Sequence, residues 1–87
     1  MAQYSLRIKT SAVKEIEAIS QKKDRQRVVK RISELAGDPR PRGCQKLSGE
    51  HERYRVRQGR YRVVYAIDDE AFLVEVVKVG HRKDVYR

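Results

Sequence analysis

Cysteine is almost absent from this 87-residue sequence, in which Cys44 is the only one. A single cysteine forms no internal disulfide, and with only two histidines it cannot complete a zinc site. No run of about 18 apolar residues is present, so no membrane-spanning helix is expected. The first residues contain no apolar segment of the kind found in signal peptides. These absences predict a protein of the reducing cytoplasm.

Motifs of the common catalytic and cofactor-binding classes are also missing. The five glycines are scattered at predicted turns and do not form a phosphate-binding loop. The acidic residues at 68–70 are interpreted as a turn rather than as a metal site. Cys44 is interpreted as incidental, because no partnered histidine or oxyanion site is near it in the sequence. The sequence therefore predicts no metal and no cofactor.

Positive charge, in contrast, is abundant and concentrated. The chain has 21 Lys plus Arg against 12 Asp plus Glu, and residues 40–62 carry +6 of the formal charge of +9. A concentrated basic surface attracts polyanions and speeds their encounter, which points to an anionic partner. The alternative is a solvated charged face. The basic residues of the segment are Arg40, Arg42, Lys46, Arg53, Arg55, Arg57, Arg60 and Arg62.

Two amphipathic helices are predicted in the first half of the chain, after a strand over residues 4–9. Thr10 or Ser11 is expected to cap the first helix and Asp24 the second, with Gly37 ending the second helix. The helices are expected to form an antiparallel αα-hairpin whose apolar stripes cover a sheet. The stripe positions are Val13, Ile16 and Ile19, with Ala12 a possible addition, and then Val28, Ile32 and Leu35.

Three strands in the second half are predicted to form an antiparallel meander, over residues 53–57, 60–67 and 71–79. The last strand is almost entirely apolar and β-branched, which is typical of an interior strand. Residues 45–48 are a candidate short strand. The N-terminal strand must join the same sheet, by a crossover or at an edge. The order β-α-α-β-β-β predicts a two-layer α+β domain with a mainly antiparallel sheet.

Arginine is expected on one face of this sheet. Tyr and Val occupy one parity of two neighbouring strands, and the other parity carries Arg55, Arg57, Arg60 and Arg62. Because the apolar parity must face the helices, these arginines are predicted to form a solvent-facing surface. Like charges side by side on a sheet are unfavourable, so a chain that keeps them together is expected to bind an anion.

The two histidines have different sequence contexts. His51 lies in a polar loop and is expected to be exposed. His81 follows the last strand and is succeeded by Arg82, Lys83 and Tyr86, next to the predicted basic face. Histidine titrates closest to neutral pH. His81 is therefore either a surface residue near the C-terminus or a proton-transfer group.

Two segments of the chain resemble the RelE family of bacterial and archaeal toxins. These are residues 54–65 (YRVRQGRYRVVY) and 77–86 (VKVGHRKDVY), and residues 35–39 and 45–49 also fit the family pattern. The GxYRVVY and GHRxxVY elements together are typical of the RelE/ParE superfamily. The resemblance covers nearly the whole chain and implies a single RelE-like toxin domain, residues 1–87.

The resemblance implies the toxin of a type II toxin–antitoxin pair, an endoribonuclease that cuts mRNA in the ribosomal A site without a metal. The 2′-hydroxyl of the RNA attacks the adjacent phosphate in such a reaction. The enzyme must therefore supply a base, an acid, positive charge and in-line geometry. The expected partners are the ribosome with its mRNA and an acidic antitoxin encoded beside the toxin. That antitoxin would cover the basic face and the helices. Neither a membrane nor a small-molecule cofactor is expected.

The resemblance also assigns roles to individual residues. Arg62 and Arg82 correspond to residues that hold the scissile phosphate, and Tyr86 to a residue that stacks on a base or moves a proton. The expected catalytic residues are therefore Arg55, Arg57, Arg62, Arg82 and Tyr86, to which His81 is added because of its own sequence context. Further RNA contacts are expected from Lys46, Arg53, Arg60 and Lys83.

The sequence departs from the family at one chemically important place. Arg55 and Arg57 stand where the well-studied relatives have lysines. Arginine is effectively never deprotonated in proteins, so it does not serve as a base. The base must then be His81, Tyr86 or Glu52, or else the enzyme relies on electrostatics and positioning alone.

Two other functions stay open on the sequence. One is a ParE-like toxin that poisons DNA gyrase by binding and catalyses nothing. The other is a basic module that binds RNA or the ribosome without cleavage. The combination of Arg55, Arg57, Arg62, Arg82 and Tyr86 favours the nuclease, because an inhibitor needs no phosphate-binding face. The loss of the lysine bases keeps the binding module open as an alternative.

Overall fold

The computed structural model describes residues 3–47, 49 and 52–81, and its elements follow the predicted order. They are β1 (Ser5–Ile8), α1 (Thr10–Glu17), α2 (Lys22–Glu34), β2 (Gln45–Lys46), β3 (Arg53–Gln58), β4 (Tyr61–Asp68) and β5 (Leu73–His81). The five strands are arranged in the order β1-β5-β4-β3-β2, with β1 parallel to β5 and the other pairs antiparallel. The predicted α+β class and mainly antiparallel sheet are confirmed.

The core lies between the helices and one face of the sheet. It contains Ala12, Ile16, Ile19, Val28, Ile32 and Leu35 from the helical segment, and Tyr54, Val56, Val63, Tyr65, Ile67, Val74, Val76 and Val79 from the strands. Fully burying one such aliphatic side chain contributes about 1.5–3 kcal/mol. The predicted stripes are confirmed except at Val13, which is 38% exposed because the buried line of α1 runs through Ala12 instead.

The predicted helix caps are wrong in detail. Thr10 is the first residue of α1 rather than its cap, and α2 begins at Lys22, so that Asp24 lies inside its first turn. A carboxylate there still interacts favourably with the helix dipole. The N–H groups of Leu35 and Gly37 bond to carbonyls three residues earlier, and Gly37 does not have a positive φ. The helix therefore ends by tightening rather than with a left-handed glycine. Neither helix of the described part of the chain is long and apolar enough to cross a bilayer.

The strand β5 has shifted bounds and an interior position. It begins at Leu73 and continues through Gly80, which was expected to end it. Phe72, just before it, has a φ of 51°, so the turn ends in the left-handed region that a bulky residue rarely adopts. β5 lies between β4 and β1, so the N-terminal strand joins by a crossover and also forms an edge.

A β-bulge interrupts the pairing of β4 with β5. Val64 pairs with Lys78, but the next residue, Tyr65, pairs with Val76, which leaves Val77 as the extra residue. A bulge reverses the in-and-out alternation of its strand. Val76 is fully buried before the bulge and Val79 is 1% exposed after it, so both face the helices although they are three residues apart. Lys78 is therefore placed on the other face of the sheet, which we call the outer face.

Candidate nucleic-acid interface on the outer face

The strand register arranges the outer face in rows that cross the sheet. The first row contains Arg57, Arg62 and Gly80. The second row contains Gln45, Arg55, Val64 and Lys78. The third row contains Arg53, Ala66, Glu75 and Arg7. Among the described residues of these rows, six are cationic and one, Glu75, is acidic, so the face has a strong positive potential.

Arg57 and Arg62 form the centre of the first row. They are direct cross-strand partners on β3 and β4, and Gly80 completes the row on β5 without a side chain. Directly opposite residues of an antiparallel pair have Cβ atoms about 5 Å apart, so the two guanidinium groups start from neighbouring positions. Arg57 is exposed and Arg62 is half-buried. The structure thus brings together two of the sequence-predicted catalytic residues.

Arg55 is buried, which corrects the expectation that it faces solvent. It is 9% exposed and lies in the middle row of the sheet, between the rows of Arg53 and Arg57. Its Nη2 donates a hydrogen bond to Oε1 of Gln45 on the edge strand β2. A buried charge held by a side-chain amide acts as a fixed positive charge beneath the surface.

Arg60 is the second correction to the predicted arginine face. It lies in the β3–β4 turn next to Gly59, whose φ is 59°. There it lines a groove with Gln21 and Asp24 at the start of α2. The alternation of β4 does not extend into the turn, so Arg60 leaves the row of arginines and lies beside the helix layer.

Lys46 and Glu52 lie at the end of the sheet remote from the first row. Lys46 pairs with Tyr54, a core residue, so the register does not place it on the outer face. Its Nζ lies 3.7 Å from Oε1 of Glu52, whose Oε2 is 3.4 Å from Nη2 of Arg40. Glu52 is five residues from Arg57 along the chain, about 17 Å in an extended strand. Glu52 is therefore not placed to act as a base at Arg57 and Arg62.

His81 lies beside the first row but on the helix side of the sheet. It pairs with Tyr61, and the two rings contact edge to face with centroids 5.9 Å apart. Both residues line a groove that also includes Glu15 of α1 and Lys78 of β5. The alternation that continues from Val79 turns the imidazole away from the face that carries Arg62. Four residues discussed above, His51, Arg82, Lys83 and Tyr86, lie outside the described residues.

Two cations of the outer face were missed by sequence reasoning. Arg7 lies on β1, and its parity was readable from the apolar neighbours Leu6 and Ile8, but its place in the sheet was not. The outer-face position of Lys78 could not be predicted for a different reason. By simple alternation from Val76 it would face the helices, and only the bulge moves it to the outer face.

Arg40 joins several segments at the end of the sheet opposite the first row. Its Nη2 lies 2.9 Å from Oδ2 of Asp69, its Nε donates to the Tyr54 hydroxyl at 3.1 Å, and its guanidinium lies 5.1 Å from the centroid of that ring. The Tyr4 hydroxyl donates to Oδ1 of Asp69 at 2.6 Å. Hydrogen bonds from Arg40 and then from Tyr4 lower the pKa of Asp69 to about 2. The turn predicted at residues 68–70 is present one residue later, at 69–72 after β4 ends at Asp68, and the Asp69 carboxylate ties it to Arg40 and Tyr4.

Acid is expected to weaken this junction, and Asp69→Asn tests the effect. The pKa of Asp69 is lower in the folded chain, about 2, than in an unfolded chain, about 3.9. Its stabilising contribution is therefore complete above about pH 5 and is lost as the pH falls through about 2. Melting temperatures of the wild type and the variant are expected to differ at neutral pH and to converge in acid. Asp38→Asn is the control, and a difference that persists unchanged at about pH 2 would contradict the assignment.

The sequence comparisons find toxins. Residues 6–86 match the family model for the ParE toxin of the type II toxin–antitoxin system parDE. A stretch of 34 residues is 47% identical to Toxin RelG of Mycobacterium tuberculosis, a match that covers 39% of this chain and 39% of that protein. The curated relative is thus matched over well under half of its length.

The structural comparisons cover nearly the entire chain. The archaeal RelE–RelB complex of Pyrococcus horikoshii OT3 matches with a TM-score of 0.82 and 27% identity, covering 98% of this chain and 100% of that one. The RelBE2 toxin–antitoxin complex of Mycobacterium tuberculosis matches at 0.78 and 29%, covering 92% and 99%. The intact RelBE complex of Escherichia coli matches at 0.76 and 30%, covering 90% and 95%.

Proposed function

Because this chain belongs to the RelE/ParE superfamily of type II toxins, we propose that it is a ribosome-dependent endoribonuclease that stops translation by cutting mRNA. The observation that carries this proposal is the cross-strand pair of Arg57 and Arg62 on a sheet face that the helices leave uncovered. Guanidinium groups offer a fork of donors that matches the oxygens of a phosphate.

The proposed chemistry needs RNA, because the nucleophile is the 2′-hydroxyl of the substrate itself. Its oxygen forms a new bond to phosphorus, the bond from phosphorus to the 5′-oxygen breaks, and a cyclic phosphate results. The proton of the 2′-hydroxyl passes to a base, and the departing 5′-oxygen receives a proton from an acid. Negative charge grows on the phosphoryl oxygens in the transition state, where Arg57 and Arg62 would stabilise it. Guanidinium cations can provide charge stabilisation that other nucleases obtain from a metal.

The remaining proposed site residues have different roles. Arg55 would contribute a fixed charge beneath the face rather than a direct contact, since it is 9% exposed and bound to Gln45. Arg82 and Tyr86 retain the roles that the family resemblance implies, in phosphate binding and in stacking or proton transfer. Arg53 is exposed on the outer face and is a candidate RNA contact. His81 would have to reach around the end of β5 to transfer a proton, because its ring packs against Tyr61 on the helix side of the sheet.

The proposed partner is a cognate acidic antitoxin. The solved relatives from Pyrococcus horikoshii, Mycobacterium tuberculosis and Escherichia coli are complexes of a toxin with an antitoxin. The formal charge of +9 on this chain complements an acidic partner. Such a partner would compete with RNA if it covers the outer face.

The second candidate function is ParE-like poisoning of DNA gyrase. It is favoured by the family model, which describes the ParE toxin and matches residues 6–86. In that case the outer face would serve binding alone, and no RNA would be cut. The two candidates differ in what is damaged in the cell, which makes them separable by one experiment.

Primer extension on mRNA after brief induction of the chain tests the proposal. Cuts at defined positions within translated codons are expected, and co-expression of the antitoxin is expected to remove them. Intact mRNA together with broken or abnormally supercoiled DNA would overturn the proposal in favour of gyrase. Intact mRNA together with intact DNA would contradict both mRNA cleavage and gyrase poisoning.

A further inference from the structure

Lys78 is delivered to the outer face by an irregularity of the fold. The bulge at Val77 places it across from Val64 of β4, in the row next to that of Arg62 and Gly80. Bulges are frequent beside functional sites, where they change the direction of a side chain. Without the extra residue, Lys78 would point toward the apolar layer of the helices, where a charged amine is costly.

The surroundings of Lys78 are unusual for a structural lysine. It is exposed, and among the residues that the structure describes no carboxylate lies within ion-pair distance of its amine. Its cross-strand neighbour Val64 is apolar, and Arg55 lies beyond Val64 in the same row. Glu75 lies in the next row of β5 and Glu15 lines the same groove as Lys78, but the described residues show no ion pair between Lys78 and either carboxylate. The ammonium group is therefore available to an external anion.

The position of Lys78 suits contact with a polyanion. Neighbouring rows are separated by two residues along a strand, about 6.6 Å. A single strand held at Arg57 and Arg62 would therefore reach Lys78 by continuing along β5 past Gly80, which presents no side chain. Lysine offers a point charge on a flexible stem, and this suits a backbone phosphate whose position varies, whereas arginine suits one fixed phosphate.

We propose that Lys78 is a further RNA-binding residue, whose ammonium group binds a backbone phosphate adjacent to the one held by Arg57 and Arg62. This inference rests on the proposed function, because it requires RNA to lie on the outer face. It assigns to a residue of β5 the task of setting the path of the strand across the sheet. The row order then predicts the direction of that path, from the first row toward the second.

The test measures binding of a short single-stranded 2′-O-methyl RNA, which cannot be cut because its attacking hydroxyl is blocked. Affinity is measured over a range of salt concentrations for the wild type, Lys78→Gln and Lys78→Arg. Lys23→Gln is the matched control, since Lys23 is an exposed lysine on α2, in the helix layer. A contact to one phosphate of a single strand contributes about 0.7 to the slope of log affinity against log salt.

Lys78→Gln is expected to reduce the steepness of the slope by about 0.7 and the affinity by about fivefold near 0.1 M salt. Lys78→Arg is expected to keep the slope, and Lys23→Gln to leave it unchanged. An unchanged slope in Lys78→Gln, or an equal reduction in Lys23→Gln, would overturn the inference while wild-type binding preserves the proposed function. Failure of the wild type to bind this RNA at low salt would overturn the inference alone, because a ribosome-dependent nuclease is tested by the primer extension described above. Equal melting temperatures of the variants show that folding is not the cause.

Discussion

Arg62→Ala is expected to reduce mRNA cleavage by about 10²- to 10³-fold, the loss typical of one donor that stabilises a charged transition state. Arg62 lies on β4 directly across from Arg57, in the row that ends at Gly80. Its guanidinium would bind the phosphoryl oxygens more strongly as their charge grows. Removing it should therefore lower the rate of the chemical step more than it lowers RNA affinity. The measurement is single-turnover cleavage of ribosome-bound mRNA by the purified toxin.

Two variants sharpen the interpretation of Arg62→Ala. Arg62→Lys retains the charge but removes the fork, so its loss of rate is expected to lie between those of the wild type and the alanine variant. Arg27→Ala removes an exposed arginine of α2, in the helix layer, and should leave cleavage unchanged. Antitoxin affinity of Arg62→Ala should stay within a few fold. Equal losses of cleavage, antitoxin affinity and melting temperature would show that Arg62 supports the fold instead.

The elements of the fold were predictable because each one is encoded by a local period. The spacing of Val28, Ile32 and Leu35 matches one face of a helix, and all three are buried. Alternation along residues 61–67 matches a half-buried strand, and the pairing of Arg57 with Arg62 follows once β3 and β4 are joined by a short turn. Such patterns need no knowledge of the rest of the chain.

The errors arose where pairing between distant segments decides the outcome. The bulge at Val77 depends on how β5 pairs with β4, and a strand read alone cannot show which residue is skipped. Arg55 was expected in solvent, but its middle row and its bond to Gln45 bury it. Arg60 was expected on the arginine face because it is two residues before Arg62, but it lies in the turn that precedes β4. The composition of the interface was thus predictable, and its geometry depended on the register.

Tyr65 gives the largest expected effect on stability. It is fully buried and has the largest volume among the fully buried side chains of the described residues. Its ring stacks on that of Tyr54, with the two centroids 6.0 Å apart. Its hydroxyl donates to the carbonyl of Pro39 at 2.7 Å and so ties the loop after α2 to β4. Burial raises the pKa of this phenol, followed in importance by the nearby Cys44, so the donor stays protonated at neutral pH.

Tyr65→Ala is expected to lower the free energy of unfolding by about 3–5 kcal/mol, as for other large aromatic residues cut back to alanine in a core. Small domains are stable by about 5–15 kcal/mol, so this variant loses a large share of its stability and is expected to unfold at a clearly lower temperature. Tyr65→Phe keeps the ring and loses only the bond to Pro39, which predicts a loss of about 1 kcal/mol. Urea denaturation measures both losses, and equal losses for the two variants would contradict the packing argument.

The Tyr65 and Arg62 variants should fail in opposite ways, and this contrast separates folding from chemistry. Tyr65 faces the helices from β4, whereas Arg62 of the same strand belongs to the outer face. Tyr65→Ala should therefore lose activity in proportion to its unfolded fraction and regain it at lower temperature, where more of it is folded. Arg62→Ala should stay folded and keep the same reduced cleavage, relative to the wild type, at every temperature. If Tyr65→Ala were inactive even when fully folded, this result would show that the positions of the arginines on the outer face depend on the packing of the core beneath them.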